Sequence, residues 1–185
     1  GRAHLFLKGD GKVRNPEDLK GRKPYMWRDD VIAPVFYQVI GATPVPLNVP
    51  EVLPQLKTGG VDTLNAPALA VEQLQWAPQL SSASEQVTGC AVGALVVSGS
   101  RMKSLPGDLR TIMTDTGAIA GKALTDKIKA EDEAAFGRMT SNNKMTKFSI
   151  DEGKFKEVFK QVRQRLAQGT FSADLVKKIE EAGGV

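Results

Sequence analysis

The stretch from Gly41 to Pro67, GATPVPLNVPEVLPQLKTGGVDTLNAP, constrains the fold of this chain more than any other. Pro44 and Pro46 hold Val45 to Leu47 extended, because proline fixes φ and drives its predecessor out of the helical region. A helix then opens on Pro50 and Glu51, with Val52, Leu53 and Leu56 as its apolar side. Proline at a first helical position forfeits no hydrogen bond, and Glu51 faces the positive end of the helix dipole. Gly59-Gly60 stops that helix, Val61 to Leu64 offers a second strand, and Asn65 is placed to cap a further helix near Pro67. The order is strand, helix, strand, helix, and the polar loops at such junctions are where α/β proteins hold ligands.

The rest of the chain extends this pattern. Leu5 to Leu7 fits a short lead-in strand, and Val31 to Ile40 has helical spacing with Asp29 or Asp30 as its cap. Pro67 to Gln75 reads as a short helix, and Val87 to Ser98 is β-like, with Gly89 and Gly93 marking bends or close approaches. A long helix is predicted from Leu105 to about Arg138 with Ser104 as cap, then a strand over Met145 to Ile150. Asp151 to Gln168 is amphipathic, with Phe155, Val158, Phe159, Val162 and Leu166 on one stripe, and Ser172 to Ala182 forms a last helix.

At 185 residues, 41% hydrophobic and 25% charged, the chain has the composition of one globular domain or two small lobes. The longest apolar run, Cys90 to Val97, is far short of the roughly 18 residues of a membrane span, and the sequence is expected to open without a basic-plus-apolar leader. The net charge of +4 is spread over basic residues interleaved with acids, which argues for a solvated surface and against nucleic acid as a partner. One cysteine, Cys90, rules out an intrachain disulfide and reads as a small core residue. A single histidine, His4, leaves no Cys/His metal cluster and no histidine-based triad, and no glycine-rich phosphate loop occurs. No enzyme activity, metal or cofactor is therefore expected.

The letters GA-P-P, then E-x-x-x-x-L-x-T-G-x-V-D, then N-x-P resemble the extracytoplasmic solute receptors of TRAP (tripartite ATP-independent periplasmic) transporters. Upstream, Pro16-Glu-Asp-Leu-Lys-Gly-Arg-Lys23 is similar to the segment that opens their second lobe. Downstream, Val96-Val-Ser98 and Leu105-Pro-x-Asp-Leu109 are similar to their crossover strand and the start of their long helix. The resemblance covers about residues 16 to 115 and implies an α/β, periplasmic-binding-protein-like lobe: a βαβα sheet with flanking helices, a crossover strand, a long helix and C-terminal helices. It divides the chain into a second ligand-binding lobe with its lead-in strand (1–90), the crossover strand and long helix (91–138), and a C-terminal strand and helices (139–185). It also implies a periplasmic location, a small organic ligand, and TRAP membrane subunits as partners, and that such receptors carry a leader and a first lobe before the Pro16 motif. The rival expectation is a receptor-like interaction module that docks a protein partner, or itself, through the surface a first lobe would cover.

The ligand positions implied by the resemblance depart from the family. The arginine that grips an organic carboxylate falls on Tyr25, the asparagine before the helix-opening proline falls on Ala66, and the aromatic of the first connecting loop falls on Val49. Tyrosine cannot neutralise a carboxylate as arginine does, and a buried anion without a partner is costly. The cavity is therefore expected to take an apolar or weakly polar ligand, lined by Tyr25, Trp27, Val49, Leu64, Asn65 and Ala66. Arg28 either supplies a cation to the same cavity or pairs with Asp29, Asp30 or solvent. Trp27 is expected at the cleft and Trp76 in the core, while Asn65 serves either the ligand or its own helix cap.

Overall fold

The computed structural model describes residues 1–141 and 144–183. Its sheet is built around β1 (Arg2–Leu7), a longer strand than the Leu5 to Leu7 expected. β1 pairs antiparallel with β4 (Thr63–Pro67) on one side, Phe6 opposite Leu64, and with β5 (Ser82–Ser84) on the other, Phe6 opposite Ala83. β5 in turn runs parallel to β7 (Thr146–Phe148). Beyond β4, a parallel bridge from Pro24 to Thr63 leads to β2 (Tyr25–Trp27), which runs parallel to β3 (Val45–Leu47). Read across the sheet, the order is β3, β2, β4, β1, β5, β7, and β1 alone runs against the rest.

Alternation along the strands loads both faces. Phe6, Leu64, Ala66 and Ala83 face a core under α2 (Val49–Thr58), α3 (Ala68–Gln73) and the last turns of the long helix. Leu5, Leu7 and Phe148 face a second core under α1 (Ala33–Ile40) and the amphipathic C-terminal helix. Trp76 lies in the first core, as expected, and its indole packs edge-on to Tyr25 with ring centroids 6.1 Å apart.

Local chemistry sets the helix ends. Asp30 Oδ1 accepts from the N–H groups of Ile32 and Ala33 at 2.7 and 2.9 Å, capping α1. Asn48 and Glu51 form a reciprocal capping box at the start of α2, and Gly59 ends that helix with φ +76°, a conformation glycine adopts without Cβ strain. Asn65 caps nothing: it lies within β4, its Oδ1 accepts from Thr88 Oγ1 at 2.8 Å, and α3 starts after Pro67. The flanking strand pairing with β1 extends β4 through Pro67, so the strand overrides the cap that Asn65 could have supplied.

The β-like segment Val87 to Ser98 pairs only at β6 (Gly89–Cys90), opposite Arg2 and Ala3, and residues 91–98 carry no regular structure. Cys90 is exposed instead of buried. Ser104 belongs to a separate short helix, α4 (Gly99–Ser104), and the long helix α5 (Gly107–Thr140) starts after Pro106. α6 (Glu152–Leu166) buries Phe155, Val158, Val162 and Leu166 in the predicted stripe, with Asp151 Oδ1 accepting from Lys154 N–H, and α7 (Ala173–Gly183) follows. No helix among the described residues is long and apolar enough to cross a membrane.

α5 is 34 residues long, yet it meets the sheet only through its last turns, where Asp132, Ala135 and Met139 are buried. The Asp132 carboxylate accepts from Arg2 N–H at 2.8 Å and from Leu69 N–H at 2.9 Å, tying α5 to β1 and to the start of α3 at once. One turn on, Phe136 stacks on His4 with ring centroids 4.2 Å apart. Burial pushes the His4 pKa down from its ordinary value, so the ring is neutral in the fold near pH 7.

Candidate ligand wall at the ends of the parallel strands

β2, β3 and β4 run in the same direction, so their carboxyl ends, and the loops that feed α1, α2 and α3, share one edge of the sheet. Crevices outside the carboxyl ends of parallel strands are the usual ligand position in open α/β sheets. Here the register sets Trp27 beside Leu47, and Arg28 N–H donates to the Leu47 carbonyl at 3.1 Å, so the two chains leave the sheet together. Trp27, Val31, Ile32 and Val49 are each 40–56% exposed at this edge, an apolar surface that no element among the described residues covers. Single exposed apolar residues need no explanation, but four at one edge make it a candidate contact surface.

Tyr25 stands half-buried behind them, against the first core. Burial foremost, and then the charge of Asp30, raise its pKa above the ordinary phenol value, so the hydroxyl is neutral and offers a hydrogen bond without charge. Arg28 pairs with neither Asp29 nor Asp30. Its Nη2 donates to Glu51 Oε2 at 3.1 Å and Oε1 at 3.4 Å, across the gap between the β2 and β3 loops. The same Glu51 Oε2 accepts from Asn48 N–H at 2.6 Å, so one carboxylate caps α2 and holds the guanidinium.

The expected lining residues therefore fall into two groups. Tyr25, Trp27, Arg28 and Val49 come together at the open edge. Leu64 and Ala66 do not line it: they are 0% and 6% exposed and lie in the first core beneath α2 and α3, because strand alternation turns them to that face. Asn65 points to the opposite face and is held by Thr88. Glu51 was legible in the sequence only as a helix-dipole residue. The spacing Asn48-x-x-Glu51 is a capping-box signature that would have fixed its carboxylate at the loop Arg28 reaches.

Comparison with known proteins bears on the family and the fold. The family described as bacterial extracellular solute-binding protein, family 7, matches residues 6–174. A solute-binding protein of Sulfitobacter sp. (strain NAS-14.1) is 26% identical over 167 residues, which is 88% of this chain and 49% of that protein. The periplasmic ectoine-binding protein of the TeaABC TRAP transporter of Halomonas elongata superposes with a TM-score of 0.84 at 20% identity, covering 98% of this chain and 60% of that one. A TRAP periplasmic solute-binding protein of Ochrobacterium anthropi with bound L-fuconate gives 0.79 at 23% identity, covering 98% and 58%. A third, from Sulfitobacter sp. NAS-14.1 with bound β-D-galacturonate, gives 0.77 at 20% identity, covering 95% and 58%. The chain thus spans about half the length of the curated relative it matches. The solved structures share its fold, and with the family model matched over most of its length this chain belongs to the bacterial extracellular solute-binding proteins of family 7.

Proposed function

We propose that this chain supplies one wall of a periplasmic receptor that closes on a small, apolar or weakly polar organic ligand and delivers it to TRAP membrane subunits. The observation that carries this reading is the open apolar edge of Trp27, Val31, Ile32 and Val49 in front of a neutral Tyr25. A surface of this kind gains free energy by removing apolar area from water, at about 25 cal/mol per Å². Its cation, Arg28, already donates to the Glu51 carboxylate, whereas the Ochrobacterium and Sulfitobacter structures hold L-fuconate and β-D-galacturonate.

In this reading residues 1–90 are the second ligand-binding lobe, 91–138 the crossover and connecting helix, and 139–185 the C-terminal elements that brace the lobe. The exposed apolar residues Val92, Leu95 and Val96, with Ile112, Ile119 and Leu124 on α5, then face a first lobe instead of a separate protein partner. Closure requires the ligand to contact the closed state better than the open one, since equal affinity for both shifts nothing.

Thermal unfolding of the receptor with a panel of matched pairs, each a sugar acid or short carboxylic acid and its neutral analogue, tests this. A ligand at 100 times its Kd stabilises by about 2.7 kcal/mol, and the neutral members are expected to produce that shift. Stabilisation confined to the acids would overturn the ligand class.

A further inference from the structure

The open edge holds the features from which an anion site could be assembled: a guanidinium and the N-termini of two helices of 8 and 10 residues. Each is engaged by a carboxylate of the chain itself, the guanidinium through Nη2. Asp30 takes the first free N–H groups of α1, and Glu51 takes both the Asn48 N–H at α2 and Arg28. Asp29 stands exposed between them. The loop thus sets one cation against three carboxylates, a net charge of −2 around the exposed Trp27. Arg2, at the start of β1, lies across β4, two strands from β2. Two strand spacings amount to about 10 Å, roughly a Debye length at physiological salt, so its charge is largely screened here.

Resting on the receptor reading, we propose that Glu51 is the specificity-determining residue of this wall. By neutralising Arg28 while capping α2 it leaves the loop negative and disfavours anionic groups, so the part of the ligand lying against Trp27 is uncharged or bears an ammonium. An indole face flanked by carboxylates attracts a cation through its quadrupole and through the surrounding field. A ligand carboxylate placed there would either share Arg28 with Glu51 or displace it, and in both cases would add a further anion to three.

The charge around Trp27 can be read without knowing the ligand. Trp27 is 53% exposed and Trp76 is 4% exposed, so collisional quenching of tryptophan fluorescence reports on Trp27. At one ionic strength, iodide is expected to quench less efficiently than caesium, each normalised to its quenching of free N-acetyltryptophanamide. Glu51→Gln removes one negative charge from the loop beside Trp27, and the iodide-to-caesium ratio should rise about 1.5-fold to 2-fold. Asp29→Asn, an exposed substitution that leaves the α2 cap intact, should raise it in the same direction, which keeps the test valid if Glu51→Gln loosens the helix.

A wild-type ratio at or above that of the free fluorophore, or a ratio unmoved in both variants, would overturn the proposal. Failure of the receptor reading looks different: quenching behaves as described, and no small molecule stabilises the protein. In the receptor, Glu51→Gln should also gain affinity for a monocarboxylate relative to its amide. Equal loss of both would show that Glu51 only supports the fold.

Discussion

Leu64→Ala should destabilise the chain by about 2–5 kcal/mol, the range for removing a fully buried leucine, while leaving the acrylamide quenching of Trp27 unchanged. Leu64 is 0% exposed and packs in one cluster with Phe6, Val52, Leu56, Val71 and Trp76, so truncation opens a cavity between the sheet and helices α2 and α3. The cost is the lost transfer free energy plus the void, and its size depends on how far Leu56 and Val71 can relax into the space. Denaturant unfolding followed by far-UV circular dichroism gives the free energy, and the quenching gives the state of the open edge. A loss under about 1 kcal/mol would place Leu64 at a surface and return it to the ligand wall.

Asp132→Ala is expected to cost about 3 kcal/mol or more, because it strands two backbone N–H groups and removes a charge-assisted acceptor from each. The carboxylate is 4% exposed and joins three elements that are far apart in sequence: β1 through Arg2, α3 through Leu69, and α5 through its own backbone. Most of α5 before it is exposed, so the anchor at Asp132, with Ala135 and Met139, is what aims the long helix. Amide exchange at Leu69 should accelerate by roughly 100-fold, since 1.4 kcal/mol corresponds to a factor of ten. Asp132→Asn, which keeps one acceptor, should show a smaller change. Unaltered exchange at Leu69 in the alanine variant would mean that α5 is held by its apolar turns alone.

Where sequence reasoning succeeded, the determinants were local. Pro44, Pro46, Pro50 and Gly59 set β3 and α2 through backbone restrictions that act within a few residues, and the stripe of α6 follows from period alone. Where it failed, the deciding partner was distant. Asn65 is a good cap by type, but pairing of β4 with β1, some sixty residues earlier, extends the strand through Pro67. Leu64 and Ala66 lie in the stretch where the family resemblance puts ligand contacts, and only the sheet register reveals that they face inward. Arg28 has two acidic neighbours in sequence, yet Asp30 is committed to the N–H groups of α1, and the guanidinium crosses to Glu51. Asp132 carried a signal that went unread: an acid on the same helical stripe as Ala135 and Met139 implies a buried carboxylate with donors waiting.

The central claim is that this wall belongs to a solute receptor whose ligand presents no anion to it. Native mass spectrometry of the receptor purified without refolding, followed by release and identification of any bound small molecule, tests it directly. The expected result is one tightly held molecule of neutral or ammonium-bearing character that protects Trp27 from quenching. A co-purified dicarboxylate or sugar acid in contact with Arg28 and Trp27 would contradict it.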